Sequence, residues 1–196
     1  MGNRLSKLTT RTGDAGETGI AGNRRLSKFH PRIQAIGDVD ELNCCVGVLR
    51  SHPLPAPLQP VLERIQQELF NLGGELAMPE CHLINAEHVD ALEAETDRFN
   101  ASLPPLKDFV LPGGGAAAAA AHMARAVCRR AERSVWAAHA EEALRPALAQ
   151  YLNRLSDLMF VFCRLLAREA AHDEVLWNKP AAPGSGHPAT DGEQGE

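Results

Sequence analysis

The stretch Leu58-Gln59-Pro60-Val61-Leu62-Glu63-Arg64-Ile65-Gln66-Gln67-Glu68-Leu69-Phe70-Asn71-Leu72-Gly73-Gly74-Glu75-Leu76 decides the fold. Leu58, Val61, Leu62, Ile65, Leu69, Leu72 and Leu76 recur every three or four residues, the spacing that places side chains on one face of an α-helix. Gly73-Gly74 weakens that helix near its end, because glycine loses the most backbone freedom on folding.

The same period spreads in both directions. Upstream it begins at Pro31, a suitable first-turn residue, and runs through Ile33, Ile36, Val39, Leu42, Val46 and Leu49, stopping before Pro53. Downstream, a shorter third helix carries Val89, Leu92, Thr96 and Phe99 and ends around Pro104-Pro105. A fourth follows Gly113-Gly114-Gly115 and runs from the tract Ala116–Ala121 through Trp136. Alanine is the best helix former, and its small side chain lets a neighbouring helix approach closely. The fifth spans Pro146 to His172, with Leu152, Leu155, Leu158, Met159, Phe162, Leu165 and Leu166 as its stripe. No strand alternation or hairpin signal competes, so an all-α antiparallel bundle of about five helices is expected.

Residues 1–30 hold many Gly, Thr and Arg residues without a sustained period, and read as an ordered N-terminal loop or short strand-like arm. Residues 31–178 are the bundle domain. Residues 179–196 are rich in Gly, Pro and polar side chains, the composition of a disordered tail.

A chain of 196 residues is expected to form one domain with a real core. The net charge of −5 argues against non-specific nucleic-acid binding and makes any arginine cluster a local feature. Aromatics, at 5%, are poor material for base-stacking platforms. Cys44, Cys45, Cys81, Cys128 and Cys163 are odd in number and contain no Cys-x-x-Cys pair, which predicts reduced thiols in a cytoplasmic protein. No apolar run reaches membrane-spanning length, and no signal-peptide core follows the amino terminus. Met1-Gly2-Asn3-Arg4-Leu5-Ser6 formally fits a myristoylation pattern, but so few positions are fixed that chance explains it. Glu169-Ala170-Ala171-His172 is a single Glu-x-x-His, whereas a di-iron bundle needs two. Cys81-His82 has no partner motif for zinc.

Two distant stretches share hydroxyls, glycines and fixed positive charge. Thr10-Arg11-Thr12-Gly13-Asp14-Ala15-Gly16-Glu17-Thr18, with Lys28 downstream, has the composition of a turn that cradles phosphate oxygens. It is not a P-loop, and a Gly-Asp-x-Gly stretch also serves as an ordinary turn. Arg125, Arg129 and Arg133 lie at i, i+4 and i+8, stacked along one helix face. A solvated charged face is the plain alternative, yet like charges at that spacing repel by a few tenths of a kcal/mol (roughly 0.2–0.5) unless an anion or carboxylate lies opposite. Together the two stretches suggest a nucleoside triphosphate held between a loop and a helix. Glu132 beside Arg129 either orients it or meets a ribose hydroxyl. Asn153 and Asp157 share a face of the fifth helix, where Asn153 is either a base or ribose contact or solvent-facing. Asp38, Asp40 and Glu41, beside Asn43, are either surface charge or the counter-charge of the arginine face.

These residues converge on a family. The chain resembles the ATP:cob(I)alamin (corrinoid) adenosyltransferases of the propanediol-utilisation type. The resemblance rests on the Thr10–Thr18 stretch, Lys28, Gly37-Asp38-Val39-Asp40-Glu41-Leu42-Asn43 and Phe109-Val110-Leu111-Pro112-Gly113-Gly114. It continues through His122-Met123-Ala124-Arg125, Cys128-Arg129-Arg130-Ala131-Glu132-Arg133 and Tyr151-Leu152-Asn153-Arg154-Leu155-Ser156-Asp157. The set is in family order and reaches to about residue 178.

The resemblance implies a homotrimer with active sites between subunits, no nucleic-acid or membrane partner, and a cobalamin-dependent mutase or a reductase as a partner. It implies that the cobalt of cob(I)alamin attacks the 5′ carbon of ATP, giving adenosylcobalamin and triphosphate, with Mg²⁺ carried mainly by the ATP phosphates. By resemblance, Thr10, Arg11, Thr12, Gly13, Thr18, Gly19 and Lys28 wrap the triphosphate, and Arg129, Arg130, Ala131, Glu132, Arg133 and Asn153 complete the nucleotide site. Phe109 presses on the lower corrin face, and Asp40 with Arg125 forms an ion pair across the subunit interface. A non-catalytic ATP-gated escort for adenosylcobalamin is the alternative on the same residues. Two positions depart from the family pattern: Gly19 stands where a hydroxyl residue is common, and Gly115 where Ser or Thr is frequent, which loosens the expected helix start.

Overall fold

The computed structural model describes residues 9–179. The Met1–Ser6 pattern and residues 180–196 of the expected tail lie outside the described residues. Five helices make the fold: α1 (Pro31–Arg50), α2 (Leu58–Ala77), α3 (Ala86–Asn100), α4 (Ala116–Glu141) and α5 (Pro146–Glu169). In contact order, α2 packs on α1, α1 on α4, α4 on α5 and α5 on α3. The α-helical bundle expected from the stripes is therefore present, with α4 in the middle.

The apolar stripes are the core. All seven stripe residues of α2 are buried, and in α5 every stripe residue is buried except half-buried Leu165. α1 differs at its start, where Arg32, Ala35 and Asp38 are buried while Ile33 and Ile36 are only half-buried. The cause is polar. Arg32, 1% exposed, donates to the Leu76 carbonyl at 2.9 Å and pairs with Glu142 at 2.9 Å, so the first turns rotate to bury it. Helix α3 stops at Asn100, short of Pro104, and its chain leaves through a turn in which Leu103 N–H donates to Asn100 O at 2.9 Å.

Polar groups stitch the layers where the core is crossed. Asn43 and Gln66 exchange amide-to-carbonyl bonds of 3.1 and 3.2 Å between α1 and α2. Buried Glu68 of α2 accepts from Tyr151 of α5 at 2.7 Å. Buried Glu75 accepts the Leu83 and Ile84 N–H groups and Arg145 Nη1 at 2.8–3.0 Å. All five cysteines are free. Burial pushes the Cys163 thiol up to about 12 and raises Cys128 as well, leaving both as core side chains. Among the described residues no helix is long and apolar enough to cross a membrane.

The arm contains a hairpin that the sequence reading did not expect. β1 (Glu17–Gly19) and β2 (Arg25–Ser27) pair antiparallel with Thr18 opposite Leu26. Three-residue strands are too short to show alternation. The turn lies at Gly22 (φ 74°) and Asn23 (φ 56°), residue types that tolerate the left-handed region. The hairpin is tied to the bundle by Ala21 N–H to Ala77 O at 3.1 Å and by Arg24, whose two terminal nitrogens reach Glu142 at 3.1 and 3.2 Å.

Before α4, Gly114 and Gly115 take φ of 85° and 92°. A Cβ at Gly114 would lie 2.5 Å from the Ala167 Cβ, so backbone meets helix α5 at a distance only glycine allows. Gly115 is the N-cap and offers no side-chain bond to the helix start, but its φ and ψ of 92° and 169° are an almost glycine-only conformation. The missing hydroxyl at this position therefore has a backbone reason.

Two outcomes follow from this architecture. Gly114→Ala should cost about 2–4 kcal/mol through the clash and the strained backbone, read from urea midpoints, while Gly113→Ala, which meets nothing within 4 Å, should change little. The hydrogen bond from Arg24 is the main cause holding the Glu142 carboxyl below its ordinary value; partial burial opposes it and Arg32 assists. A depressed carboxyl stabilises the docked arm above the unfolded value of about 4.3 and loses that contribution as pH falls through the folded one. Glu142→Gln should therefore increase proteolysis of the arm at neutral pH and flatten its acid dependence below about pH 4.3; an unchanged acid profile would place the anchor elsewhere.

Candidate functional site

Helix α4 buries Ala118, Ala121, Ala124, Val127, Cys128, Ala131, Val135 and Ala138. What remains outside that surface carries the charge. Arg125 is half-buried, and Arg129 and Arg133 are exposed. Arg125 and Arg129 open onto a cavity of about 640 Å³ whose other walls include Phe109, Ser156, Asp157 and Phe160. The Arg125 guanidinium lies 5.8 Å from the Phe160 ring centroid, within cation–π range. Its Nε is buried without a hydrogen-bond partner among the described residues.

Phe109 is 75% exposed, which removes the ordinary reading of a lone phenylalanine as a core residue. Its N–H donates to Asp108 Oδ1 at 2.7 Å, its carbonyl accepts the Trp177 N–H at 2.8 Å, and its ring stands 6.3 Å from the Trp177 ring, near edge-on. An apolar ring held by backbone bonds and turned to a cavity walled by guanidinium groups is a surface for a large ligand with an apolar face.

The rest of the arginine cluster divides between neighbours. Arg130 turns to α1, pairing with Asp38 at 3.2 Å and with Glu41. Ser134 donates to Asp38. The acidic group on α1 is thus in part the counter-charge of α4, through Asp38 and Glu41. Asp40 is exposed, beside a separate hollow with Asn43 and Phe70. On the α5 side, Asn153 Nδ2 donates to Glu132 at 3.3 Å, and Arg154 Nη1 donates to Asn153 Oδ1 at 2.5 Å. Ala131 is fully buried, so its side chain is packing. Arg133 Nη1 caps the Arg129 carbonyl at 3.0 Å. His122, buried beside Arg125, has its pKa lowered by burial and then by that arginine's charge.

In the arm, the Thr10 and Thr12 hydroxyls lie 3.0 Å apart, and Arg25 Nη2 fixes the Thr12 carbonyl at 2.8 Å. Lys28 Nζ sits over Gly13, where a Cβ would come within 3.2 Å of it. Arg11 (φ 58°) and Gly16 (φ 82°) shape the turn. Thr18 is in β1, and Gly19 has room for a side chain. Thr10, Thr12, Gly13 and Lys28 are thereby gathered on one turn. Among the described residues, no hydrogen bond or ion pair joins this turn to Arg125, Arg129 or Arg133. The arm's anchor, Glu142, lies about 20 Å further along the helix axis than Arg129, at 1.5 Å per residue.

Sequence reading passed over Phe160, Lys107 and Trp177. Phe160 had a usable signal, an aromatic off the leucine stripe one turn beyond Ser156-Asp157. Lys107, two residues before Phe109, carried no motif of its own, and Trp177 had no signal because only the fold brings it to Phe109.

Residues 8–166 match the sequence profile of a family described as cobalamin adenosyltransferase. The chain is 52% identical over 180 residues to a cobalamin adenosyltransferase of Cupriavidus metallidurans, covering 91% of this chain and 98% of the relative. It is 41% identical over 189 residues to the corrinoid adenosyltransferase of Mycobacterium tuberculosis, covering 90% and 95%. Among solved structures, it is similar to a phenylalanine-to-alanine variant of a PduO-type ATP:corrinoid adenosyltransferase from Lactobacillus reuteri complexed with cobalamin and ATP. That likeness has a TM-score of 0.82 at 35% identity, over 88% of this chain and 100% of the other.

Proposed function

The chain belongs to the cobalamin adenosyltransferase family and is an ATP:corrinoid adenosyltransferase, and on that premise we propose how its residues divide the work. It moves the 5′-deoxyadenosyl group of ATP to cob(I)alamin, giving adenosylcobalamin and triphosphate. The observation that carries the division is the exposed Phe109 ring sharing one cavity with Arg125 and Arg129. An apolar ring suits the face of a corrin, and guanidinium groups suit a polyphosphate.

Cob(I)alamin is already a strong nucleophile, so no general base is required. The protein's work is alignment and charge. Arg129, with Arg133 beside it, receives the negative charge that develops as triphosphate leaves, while Thr10, Arg11, Thr12, Gly13, Thr18, Gly19 and Lys28 wrap the phosphates through N–H, hydroxyl and ammonium groups. Glu132 and Asn153, already bonded to each other, hold the nucleoside. Arg130 serves the same site from behind, by fixing α4 to Asp38 and Glu41 of α1. Mg²⁺ would be carried by the ATP phosphate oxygens and would supply charge neutralisation there, while Arg129 and Lys28 supply the protein's own cations. Phe109 excludes the lower axial ligand from cobalt without coordinating it, which eases reduction of cob(II)alamin.

The proposed assembly is a homotrimer with its sites between subunits. Supporting it, the phosphate turn and the arginine face do not meet within one chain. Among the described residues Arg125 is half-buried with no ion-pair partner while Asp40 is exposed, and pairing the two between neighbouring copies would give each a counter-charge. A cytoplasmic location and a mutase or reductase that exchanges the corrinoid with this enzyme belong to the same reading.

Arg129→Ala should lower kcat by about 10²–10³, the usual cost of removing a preorganised donor to developing charge, with unchanged helix content by circular dichroism. Arg129→Lys should recover only part, since a point charge cannot replace the fork; full recovery would reduce the residue to a general positive charge. Phe109→Ala should leave stability within about 0.5 kcal/mol, as for an exposed side chain, and leave the KM for ATP unchanged. Activity starting from cob(II)alamin should fall much more than activity with pre-reduced cob(I)alamin, and the four-coordinate cob(II)alamin signal in electron paramagnetic resonance should fade. Equal loss with both cobalt states would refute the lower-face role.

A further inference from the structure

Beyond the last turn of α5 the chain does not leave the molecule. Residues 173–177 lie along the loop that carries Phe109. Leu111 N–H donates to Val175 O at 2.8 Å, Trp177 N–H donates to Phe109 O at 2.8 Å, and Val110 bridges Leu176 antiparallel. The Trp177 ring meets the Phe109 ring. A ring that is 75% exposed has little packing of its own to hold it. Its position is therefore set by this strap and by the backbone at either side.

The strap has one buried fastening. Arg164, its side chain 4% exposed, donates Nε to Glu174 Oε1 at 2.6 Å and Nη2 to Glu174 Oε2 at 3.4 Å. The same Nη2 donates to the Pro104 carbonyl at 2.8 Å. Pro104 stands at the start of the loop that leads to Phe109. A single guanidinium thus fastens the entry of that loop and the strap that lies along it. Charge-assisted forked bonds are the strong kind, and a guanidinium this deep needs its carboxylate to offset desolvation. Arg164 lines a separate hollow of about 190 Å³ with His122 and Cys163, and is not a wall of the cavity that holds Arg125 and Arg129.

We propose that the Arg164–Glu174 pair is a latch that positions Phe109 against the lower corrin face while touching neither substrate. The inference rests on the lower-face role given to Phe109 above. Both members of the latch are positioning residues, acting through the strap and the Trp177 contact. Releasing the strap frees the Phe109 carbonyl and removes the ring's partner, so the phenylalanine keeps its chemistry and loses its place.

The test uses Glu174, whose side chain is 16% exposed, so that no buried cation has to be replaced. A Trp136→Phe background leaves Trp177 as the sole tryptophan of the two in the chain. In it, Glu174→Ala should raise acrylamide quenching of Trp177 and lower activity from cob(II)alamin, ATP and Mg²⁺ with a chemical reductant by about tenfold. Activity with pre-reduced cob(I)alamin should stay within about threefold, and the KM for ATP should not move. Glu174→Gln, which still offers an oxygen to Nε, should recover much of the loss. In a Phe109→Ala background, Glu174→Ala should add nothing to the ratio between the two cobalt states. Released Trp177 with an unchanged ratio, or equal loss in both cobalt states, would overturn the latch while leaving the role of Phe109 intact. If Phe109→Ala itself leaves the ratio unchanged, the lower-face role falls first and the latch with it.

Discussion

Helix α4 is packed on two sides at once, and the site depends on how that is achieved. Ala118, Ala121, Ala124, Ala131 and Ala138 are each at most 1% exposed, so much of the surface that α1 and α5 approach is made of methyl groups, with Val127, Cys128 and Val135 between them. A helix buried on two flanks has only a narrow strip left for charge. Arg130, at one margin, finds two carboxylates on α1. Glu132, at the other, finds Asn153 on α5. Arg125, Arg129 and Arg133 lie between them, and no ion pair among the described residues neutralises any of the three. Mutual repulsion at that spacing is small per pair, but it acts in the same direction along the whole strip. The strip therefore gains from an anion, and its rigidity comes from the alanine packing behind it.

How much of this could be read from sequence varied with the range of the interaction. Helix stripes are local repetitions, so α2 and α5 were legible almost residue by residue. The arginine strip was legible for the same reason, since i+4 spacing fixes a face whatever the neighbours are. The rotation of the first turns of α1 was not legible. It depends on Arg32 meeting Leu76 and Glu142, partners far along the chain, and a stripe containing Ile33 and Ile36 gives no hint that an arginine is buried in their stead. The hairpin was missed because its strands are too short for alternation, although Gly22-Asn23 marked its turn. The wall of the cavity opposite the arginines was half legible: Ser156-Asp157 through the family motif and Phe160 only as an aromatic off the stripe; Trp177, which stands behind Phe109, was legible through nothing short of the fold.

The two glycines before α4 show why a departure from a family pattern needs the backbone before it is given a cost. Read as a sequence, Gly115 is a lost N-cap hydroxyl, a change that typically costs about 0.5–2 kcal/mol when alanine replaces the cap and only a few tenths when glycine does. The structure puts both Gly114 and Gly115 in the left-handed half of the map, and Gly114 against the Cβ of Ala167. A side chain at either position is strained. The turn that results delivers the chain from the Phe109 loop directly into the alanine face of α4, so that loop and the arginine strip share one rigid junction.

That junction bears on how assembly and chemistry are linked. The Phe109 loop, Arg125 and Arg129 are fixed to one another by α4 and α5, whereas the arm that carries the Thr10–Gly13 turn is fixed to the far end of α4 through Arg24 and Glu142. The two groups are thus held rigidly, but apart. Bringing the Thr10–Gly13 turn to the arginine strip within one chain would require undocking the arm, which would break the Arg24 fork to Glu142 and the Ala21–Ala77 hydrogen bond. Bringing in the arm of a neighbouring copy breaks neither. Each chain also presents exposed apolar side chains, including Phe29 at 93% and Phe70 at 74%, the second of them next to Asp40. On the proposed assembly, then, each subunit supplies its arm to one site and its helix face to another. An ion pair between Asp40 of one copy and the half-buried Arg125 of the next would set the register of the interface and give Arg125 the counter-charge that no described residue of its own chain supplies.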